Sequence, residues 1–214
     1  MKINKYIDHT LLKAVATSED IEKLCEEAKE YNFASVCVNS CYVKTCFEIL
    51  KGTDVKVCAV IGFPLGAMST ASKIFEANDC IKNGAKEVDM VINVGMLKAK
   101  KYNYIEEEIR KIKEAVGENI LKVIIETCYL TDAEKIKVCE LSMKAHADFV
   151  KTSTGFGTGG ATFEDVALMK KVVGNICKVK ASGGVRDLKT ALKYIEIGAE
   201  RLGTSSGIKL MKGE

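Results

Sequence analysis

Two lysines stand where lysine is rarely tolerated, at the ends of apolar, strand-like runs. Lys151 follows Phe149-Val150 and leads into Thr152-Ser153-Thr154-Gly155, and Lys180 follows Val179 and leads into Ala181-Ser182-Gly183-Gly184-Val185-Arg186. Lysine is among the residues least often buried, so an ammonium in such a strand needs a reason. Neighbouring parallel strands lie about 4.8 Å apart, so both amines can reach one point. Crowding and partial burial favour loss of a proton from one of them. A neutral amine is the nucleophile that imine chemistry on an aldehyde requires. Asp89 lies in the run Glu87-Val88-Asp89-Met90-Val91-Ile92-Asn93 on the same face as Glu87 and Asn93. Facing two inward lysines, it supplies charge compensation and a proton carrier. Position matters here more than residue type. Apart from Arg110, Arg186 and Arg201, every strong base in the chain is lysine, so an isolated surface lysine is uninformative. Lys178, on the alternation face of Lys180, is expected to reach solvent at the bottom of the sheet.

The glycine-rich segments behind these lysines point to a phosphate. Gly155-Phe156-Gly157-Thr158-Gly159-Gly160 matches the dinucleotide fingerprint, but the strand that follows ends in Lys180-Ala181-Ser182, without the acidic residue that would hold a ribose. It is better read as a lid over Lys151. Gly183-Gly184-Val185-Arg186 and Gly203-Thr204-Ser205-Ser206-Gly207 each follow a strand and open a helix. Backbone amides freed by glycine, together with serine hydroxyls and a helix N-terminus, suit an oxyanion.

The elements that must carry these residues alternate along the whole chain. Strand-like runs are read at Tyr6-Leu11, Ser35-Asn39, Lys56-Phe63, Glu87-Asn93, Leu121-Thr127, Asp148-Thr152, Lys178-Ser182 and Arg201-Thr204, with helical patterns between them. Helix starts are marked by Thr17 or Ser18, by Thr131, and by Thr162, whose partner Asp165 completes the pattern of a capping box. Eight strand–helix repeats predict an α/β fold, a single-domain (β/α)8 TIM barrel over residues 1–214, with a doubly wound open sheet as the rival. Pro64, the only proline, is placed to stop the third strand. Such a barrel has its active site at the C-terminal strand ends, with a recurrent phosphate site after strands seven and eight. Every polar oddity lies there or just below: Asp8 and Thr10 on the first strand, Cys37 and Asn39 on the second, Glu126 at the end of the fifth.

Bulk properties narrow the chemistry. With 214 residues and 47% hydrophobic content, the chain can bury one full core. A net charge of +3 with interspersed signs argues against a nucleic-acid groove or an anionic membrane surface as partner. No apolar run is long enough to span a bilayer and Met1–Tyr6 has no signal-like core, so a cytoplasmic protein is expected. The nine cysteines include no Cys-x-x-Cys pair, and His9 and His146 belong to no ligand pair. A site with no metal and no cofactor is therefore expected.

The motifs Ile7-Asp8-His9-Thr10-Leu11-Leu12, Val60-Ile61-Gly62-Phe63-Pro64-Leu65-Gly66, Glu87 to Asn93, Phe149 to Phe156 and Val179 to Arg186 together resemble the bacterial deoxyribose-phosphate aldolase family, over Ile7 to Gly207. The resemblance implies a class I aldolase that interconverts 2-deoxy-D-ribose 5-phosphate with acetaldehyde and D-glyceraldehyde 3-phosphate. By the family pattern, Lys151 forms the Schiff base, Lys180 lowers its pKa, and Asp89 moves protons with Lys180. Gly155, Gly183, Gly184, Ser205 and Ser206 contact the phosphate region, and Asp8, Thr10 and Cys37 line the sugar pocket. A homodimer is the family-based expectation. The last residues, Ile208 to Glu214, contain no tyrosine to fold over the site, which sets the chain apart from some members. Two other classes stay open: a different phosphate-binding barrel enzyme, such as another aldolase or an isomerase, and a sugar-phosphate binding protein on a barrel without activity.

Overall fold

The computed structural model describes residues 3–213, so Met1, Lys2 and Glu214 of the expected domain lie outside the described residues. Eight parallel strands close into a barrel in sequence order, each hydrogen-bonded to the next and β8 to β1. The strands are β1 (Ile7–Leu11), β2 (Ser35–Asn39), β3 (Lys56–Ile61), β4 (Glu87–Val91), β5 (Ile120–Ile124), β6 (Phe149–Lys151), β7 (Lys178–Ser182) and β8 (Arg201–Thr204). The helices are α1 (Ser18–Glu30), α2 (Val43–Ile49), α3 (Thr70–Lys82), α4 (Val94–Lys98), α5 (Tyr102–Val116), α6 (Asp132–Lys144), α7 (Phe163–Val173), α8 (Leu188–Ile197) and α9 (Gly207–Lys212). The barrel closes, and the open-sheet alternative falls.

Alternation along the strands separates two chemistries. Outward residues such as Val36, Val38, Ala59, Ile61, Val88, Met90, Leu121, Val123, Val150, Val179 and Leu202 join the main apolar core, packed between sheet and helices. This layer drives closure, since burying each of its Val, Leu, Ile or Met side chains stabilises by about 1.5–3 kcal/mol. Inward residues are largely polar: Asp8, Glu87, Asp89, Lys122, Lys151 and Lys180 are all buried. Lys178 is exposed and lies over the Phe149 ring at 5.6 Å, at the bottom end of the sheet as expected.

Local chemistry sets the helix starts. Thr17, rather than Ser18, caps α1 and forms a capping box with Asp20, and Thr131 does the same with Glu134 for α6. At α7 only half of the expected box forms. Thr162 accepts from the Asp165 N–H, but the Asp165 carboxylate pairs with Lys135 at 2.6 Å, a stronger partner than a backbone amide. Four strands end earlier than alternation suggests, β6 by a single residue and the other three by two or three. Gly62 turns with φ +60° after β3, Asn93 leaves β4 to cap α4 through the Met96 N–H, and Glu126 adopts φ +55° beyond β5.

Candidate active site

Register brings the two lysines together. Lys151 and Lys180 are paired partners on β6 and β7, with side chains on the same inward face. They do not meet as two bare cations. Asp89 Oδ2 accepts from both amines, at 2.8 Å each. Lys180 also pairs with Asp8 Oδ2 at 2.5 Å.

A third lysine completes the layer. Lys122 on β5 reaches Asp89 Oδ1 at 2.8 Å and Glu87 Oε2 at 2.5 Å. Arg201 on β8 bridges Asp8 at 2.6 Å and Glu87 at 3.1 Å. Four bases thus face three carboxylates in the barrel interior. The signal for Lys122 was present in Leu121-Lys122-Val123-Ile124, a lysine within an apolar strand, but no glycine loop follows it to mark it. Arg201 gave less, because it opens a short strand.

The network fixes charge states. Burial alone would raise the Asp89 carboxyl, but Lys122, Lys151 and Lys180 outweigh it and hold it well below the usual carboxylate range. Asp8 is likewise depressed, because Lys180, Arg201 and Lys122 overcome its burial. For Lys180, burial favours the neutral amine, yet Asp8 and Asp89 prevail and keep it above the ordinary lysine range. Lys122 is held up in the same way, against burial, by Asp89, Cys58, Glu87 and Asp8. The expected loss of a proton through crowding therefore does not fall on Lys180.

One group of close metal-ligating atoms occurs among the described residues: Cys37, Cys58 and Asp89, within 4.8 Å of one another. The ammonium of Lys122 already contacts two of them, 3.3 Å from Cys58 Sγ and 2.8 Å from Asp89 Oδ1.

Above this layer a cavity of ≈ 230 Å³ opens at the C-terminal strand ends. Of the three inward lysines, Lys151 alone lines it. Thr10 and Gly155 form one part of its wall, and Gly183, Gly184 and Ser205 form the far end. Gly183 and Gly184 both have positive φ, +85° and +87°, a turn that glycine makes without strain and that exposes backbone amides. The loops after β7 and β8 are thus neighbours. Lys13 and Arg186 also line the cavity and bring cations to it; Arg186 belongs to the glycine segment read as a phosphate loop, whereas no motif had marked Lys13.

Three expected contacts sit elsewhere. Asp8 is fully buried beneath the cavity, bonded to Ser35, Arg201 and Lys180. Alternation gives a residue's face but not its depth, and two positions along a strand are about 6.6 Å. Cys37 is enclosed with Leu12, Cys58 and Val60, with Phe63 packed against them. Ser206 is the N-cap of α9 and its N–H donates to Thr204 Oγ1, off the cavity wall.

The lid segment crosses the mouth. Glu126, buried, accepts from the Thr154 N–H at 3.1 Å and from its hydroxyl, anchoring the segment three residues beyond Lys151. Phe156 meets Phe63 edge-on, with ring centroids 5.3 Å apart. At the far end of the lid the Ala161 N–H donates to the carbonyls of both Ser182 and Gly183, at 3.0 Å each.

Fold and site together define a (β/α)8-barrel enzyme with an amine at the base of its cavity. The chain belongs to the DeoC/LacD family of aldolases, whose sequence model matches residues 2–213. It is 62% identical to a deoxyribose-phosphate aldolase of Carboxydothermus hydrogenoformans, covering 99% of this chain and 95% of the relative. To one of Finegoldia magna it is 59% identical, covering 100% of both chains. Among solved structures, the deoxyribose phosphate aldolase of Aeropyrum pernix, described as tetrameric, superposes with a TM-score of 0.92 at 32% identity, covering 98% of this chain and 89% of that one. An aldolase named QR15 superposes with a TM-score of 0.95 at 43% identity, covering 98% and 94%.

Proposed function

We infer that this chain catalyses the reversible cleavage of 2-deoxy-D-ribose 5-phosphate to acetaldehyde and D-glyceraldehyde 3-phosphate. The observation that carries the reading is a cavity with the amine of Lys151 at its base and the loops after β7 and β8 at its far end. It is a space with a nucleophile for the aldehyde at one end and amides for a phosphate at the other.

Position identifies the nucleophile. Of the inward lysines, Lys151 alone lines the cavity where a substrate carbonyl can reach it. Lys122 and Lys180 lie beneath it, fully buried and held protonated by their carboxylates. The Lys151 amine attacks C1 of the open-chain sugar to give a carbinolamine, which loses water to become an iminium. The iminium accepts the electron pair of the C2–C3 bond as the C3 hydroxyl loses its proton, releasing D-glyceraldehyde 3-phosphate and leaving an enamine. Protonation at C2 and hydrolysis then free acetaldehyde and the amine. Asp89 and Lys180, both within hydrogen-bond reach of one another, move protons through these steps, each such transfer typically contributing about 10²–10⁴-fold. Gly155, Gly183, Gly184 and Ser205 hold the phosphate, with Lys13 and Arg186 adding charge, and Thr10 faces the sugar. Asp8 acts from beneath by positioning Lys180, and Cys37 packs the wall behind it.

The test is direct. Incubation with deoxyribose 5-phosphate should release acetaldehyde, and borohydride added during turnover should fix the substrate on the peptide containing Lys151. Turnover with no adduct on that peptide, or activity lost to chelation and restored by zinc, would overturn the mechanism.

We further propose that the enzyme works in the cytoplasm as a homodimer. No helix among the described residues is long and apolar enough to cross a membrane, and all nine cysteines are free thiols. Phe75 on α3 is 76% exposed and Phe47 on α2 is partly so, which offers apolar surface for a second copy. Sedimentation equilibrium at micromolar concentration gives the mass, and a monomer there rejects the dimer.

A further inference from the structure

We propose that Ser182 is a substrate-binding residue, and that its hydroxyl bonds the C4 hydroxyl of the sugar, which is the 2-hydroxyl of the glyceraldehyde phosphate acceptor. The proposal rests on the aldolase reading above.

The main chain of Ser182 is pinned. Its N–H donates to Thr152 Oγ1 and its carbonyl accepts from the same hydroxyl, at 3.0 Å each, while the Ala161 N–H adds another bond. The residue ends β7, two positions beyond Lys180 and on the same face, and it lines the cavity at 5% exposure. Against that fixed backbone its Oγ has no hydrogen-bond partner.

Of the four other hydroxyls on the cavity wall, three are committed and the fourth, on Ser205, is exposed. Thr10 donates to the Asp8 carbonyl at 2.8 Å, Thr154 donates to Glu126, and Thr204 donates to the Val185 carbonyl at 2.6 Å. A buried hydroxyl left without a partner is unfavourable, so its persistence calls for a partner that arrives with the substrate. The neighbouring strand makes room for it. Gly203 pairs with Ser182 in register, and a Cβ there would lie 2.1 Å from Ser182 Oγ. Only glycine at 203 leaves the hydroxyl in place.

Position along the cavity names the group that is bound. Ser182 stands between the reacting amine and the Gly183-Gly184 turn that follows it directly. A chain bound by C1 at Lys151 and by phosphate at that turn presents two hydroxyls between them. The C3 hydroxyl becomes the carbonyl and belongs with the proton carriers Asp89 and Lys180. The C4 hydroxyl, next to the phosphate-bearing carbon, falls to Ser182, which can both donate and accept.

The experiment crosses two enzymes with two acceptors in the synthesis direction. Wild type and Ser182→Ala are assayed with acetaldehyde and either D-glyceraldehyde 3-phosphate or 3-oxopropyl phosphate, which lacks the 2-hydroxyl. The preference for the hydroxylated acceptor, as a ratio of kcat/KM, should fall by about 3- to 10-fold in the variant, the size of one neutral hydrogen bond. The value for 3-oxopropyl phosphate should hold, and Tm should not fall, since only an unpaired hydroxyl is removed. Equal losses on both acceptors would make Ser182 structural, and an unchanged ratio would remove it from the substrate; either overturns the proposal. A wild type that joins acetaldehyde to neither acceptor would bring down the aldolase reading along with it.

Discussion

Lys122 shows how one unseen side chain sets the condition of those that react. It grips the Asp89 oxygen that Lys151 and Lys180 leave free, and it holds Glu87 with its other bonds. Replacing it by methionine keeps the volume and removes one positive charge. Asp89 would lose its Lys122 partner, and the carboxylate that Lys151 and Lys180 share would be held less firmly. We expect kcat/KM for deoxyribose 5-phosphate to fall about 10- to 100-fold in Lys122→Met, the size of a modest misplacement of catalytic groups. Opening one side of a buried ion network should also cost about 3–5 kcal/mol in denaturant unfolding. A folded variant with wild-type kcat/KM would mean that the grip of Lys122 on Asp89 does not matter to the reaction.

At the scale of elements, the loops after β7 and β8 act as a pair. Ser205 lies on the cavity wall one residue before the N-cap of α9. Ser205→Asp puts a negative charge where a dianion should sit, while the α9 end tolerates an acid to within about 1 kcal/mol. Folding should survive, and kcat/KM for deoxyribose 5-phosphate should fall steeply while that for free deoxyribose stays nearly constant. An intact ratio of the two in a folded variant would place the phosphate elsewhere. Much of this geometry was legible in advance. The spans Ser35–Asn39, Lys178–Ser182 and Arg201–Thr204 are those that alternation predicts, and the pairing of Lys151 with Lys180 follows from consecutive parallel strands. What stayed hidden depends on depth and on partners across the barrel. Asp8 reads like a pocket residue because its face is inward, and only closure shows that it lies under the cavity against Arg201, 193 residues away. Lys122 pairs with carboxylates on β1 and β4, which no local window contains.

For the whole molecule, the interior network makes stability a function of pH. Asp8 and Asp89 have folded pKa values below their unfolded ones, so they stabilise the fold above about pH 4, the unfolded value. That contribution disappears as pH falls through the depressed folded values. Lys122 and Lys180 have raised folded values, so their contribution is complete below about pH 10.4 and disappears only as pH rises beyond it. Thermal unfolding followed by circular dichroism should show a plateau between these limits and a steep fall in Tm below about pH 4. A smooth decline from neutral pH downward would assign acid sensitivity to other groups.

The double hydrogen bond from Ala161 to Ser182 and Gly183 has a consequence of a different kind. It ties the end of the lid to the Gly183-Gly184 turn, while β6 and β7 are locked in register below it. The distance from the Lys151 amine to that turn is therefore graduated by the sheet itself, like a gauge block. On the proposed placement of the phosphate, a sugar phosphate one carbon longer or shorter is not seated by shifting either loop alone, because each carries the other with it. Accepting a new chain length would require exchanging both segments as one cassette.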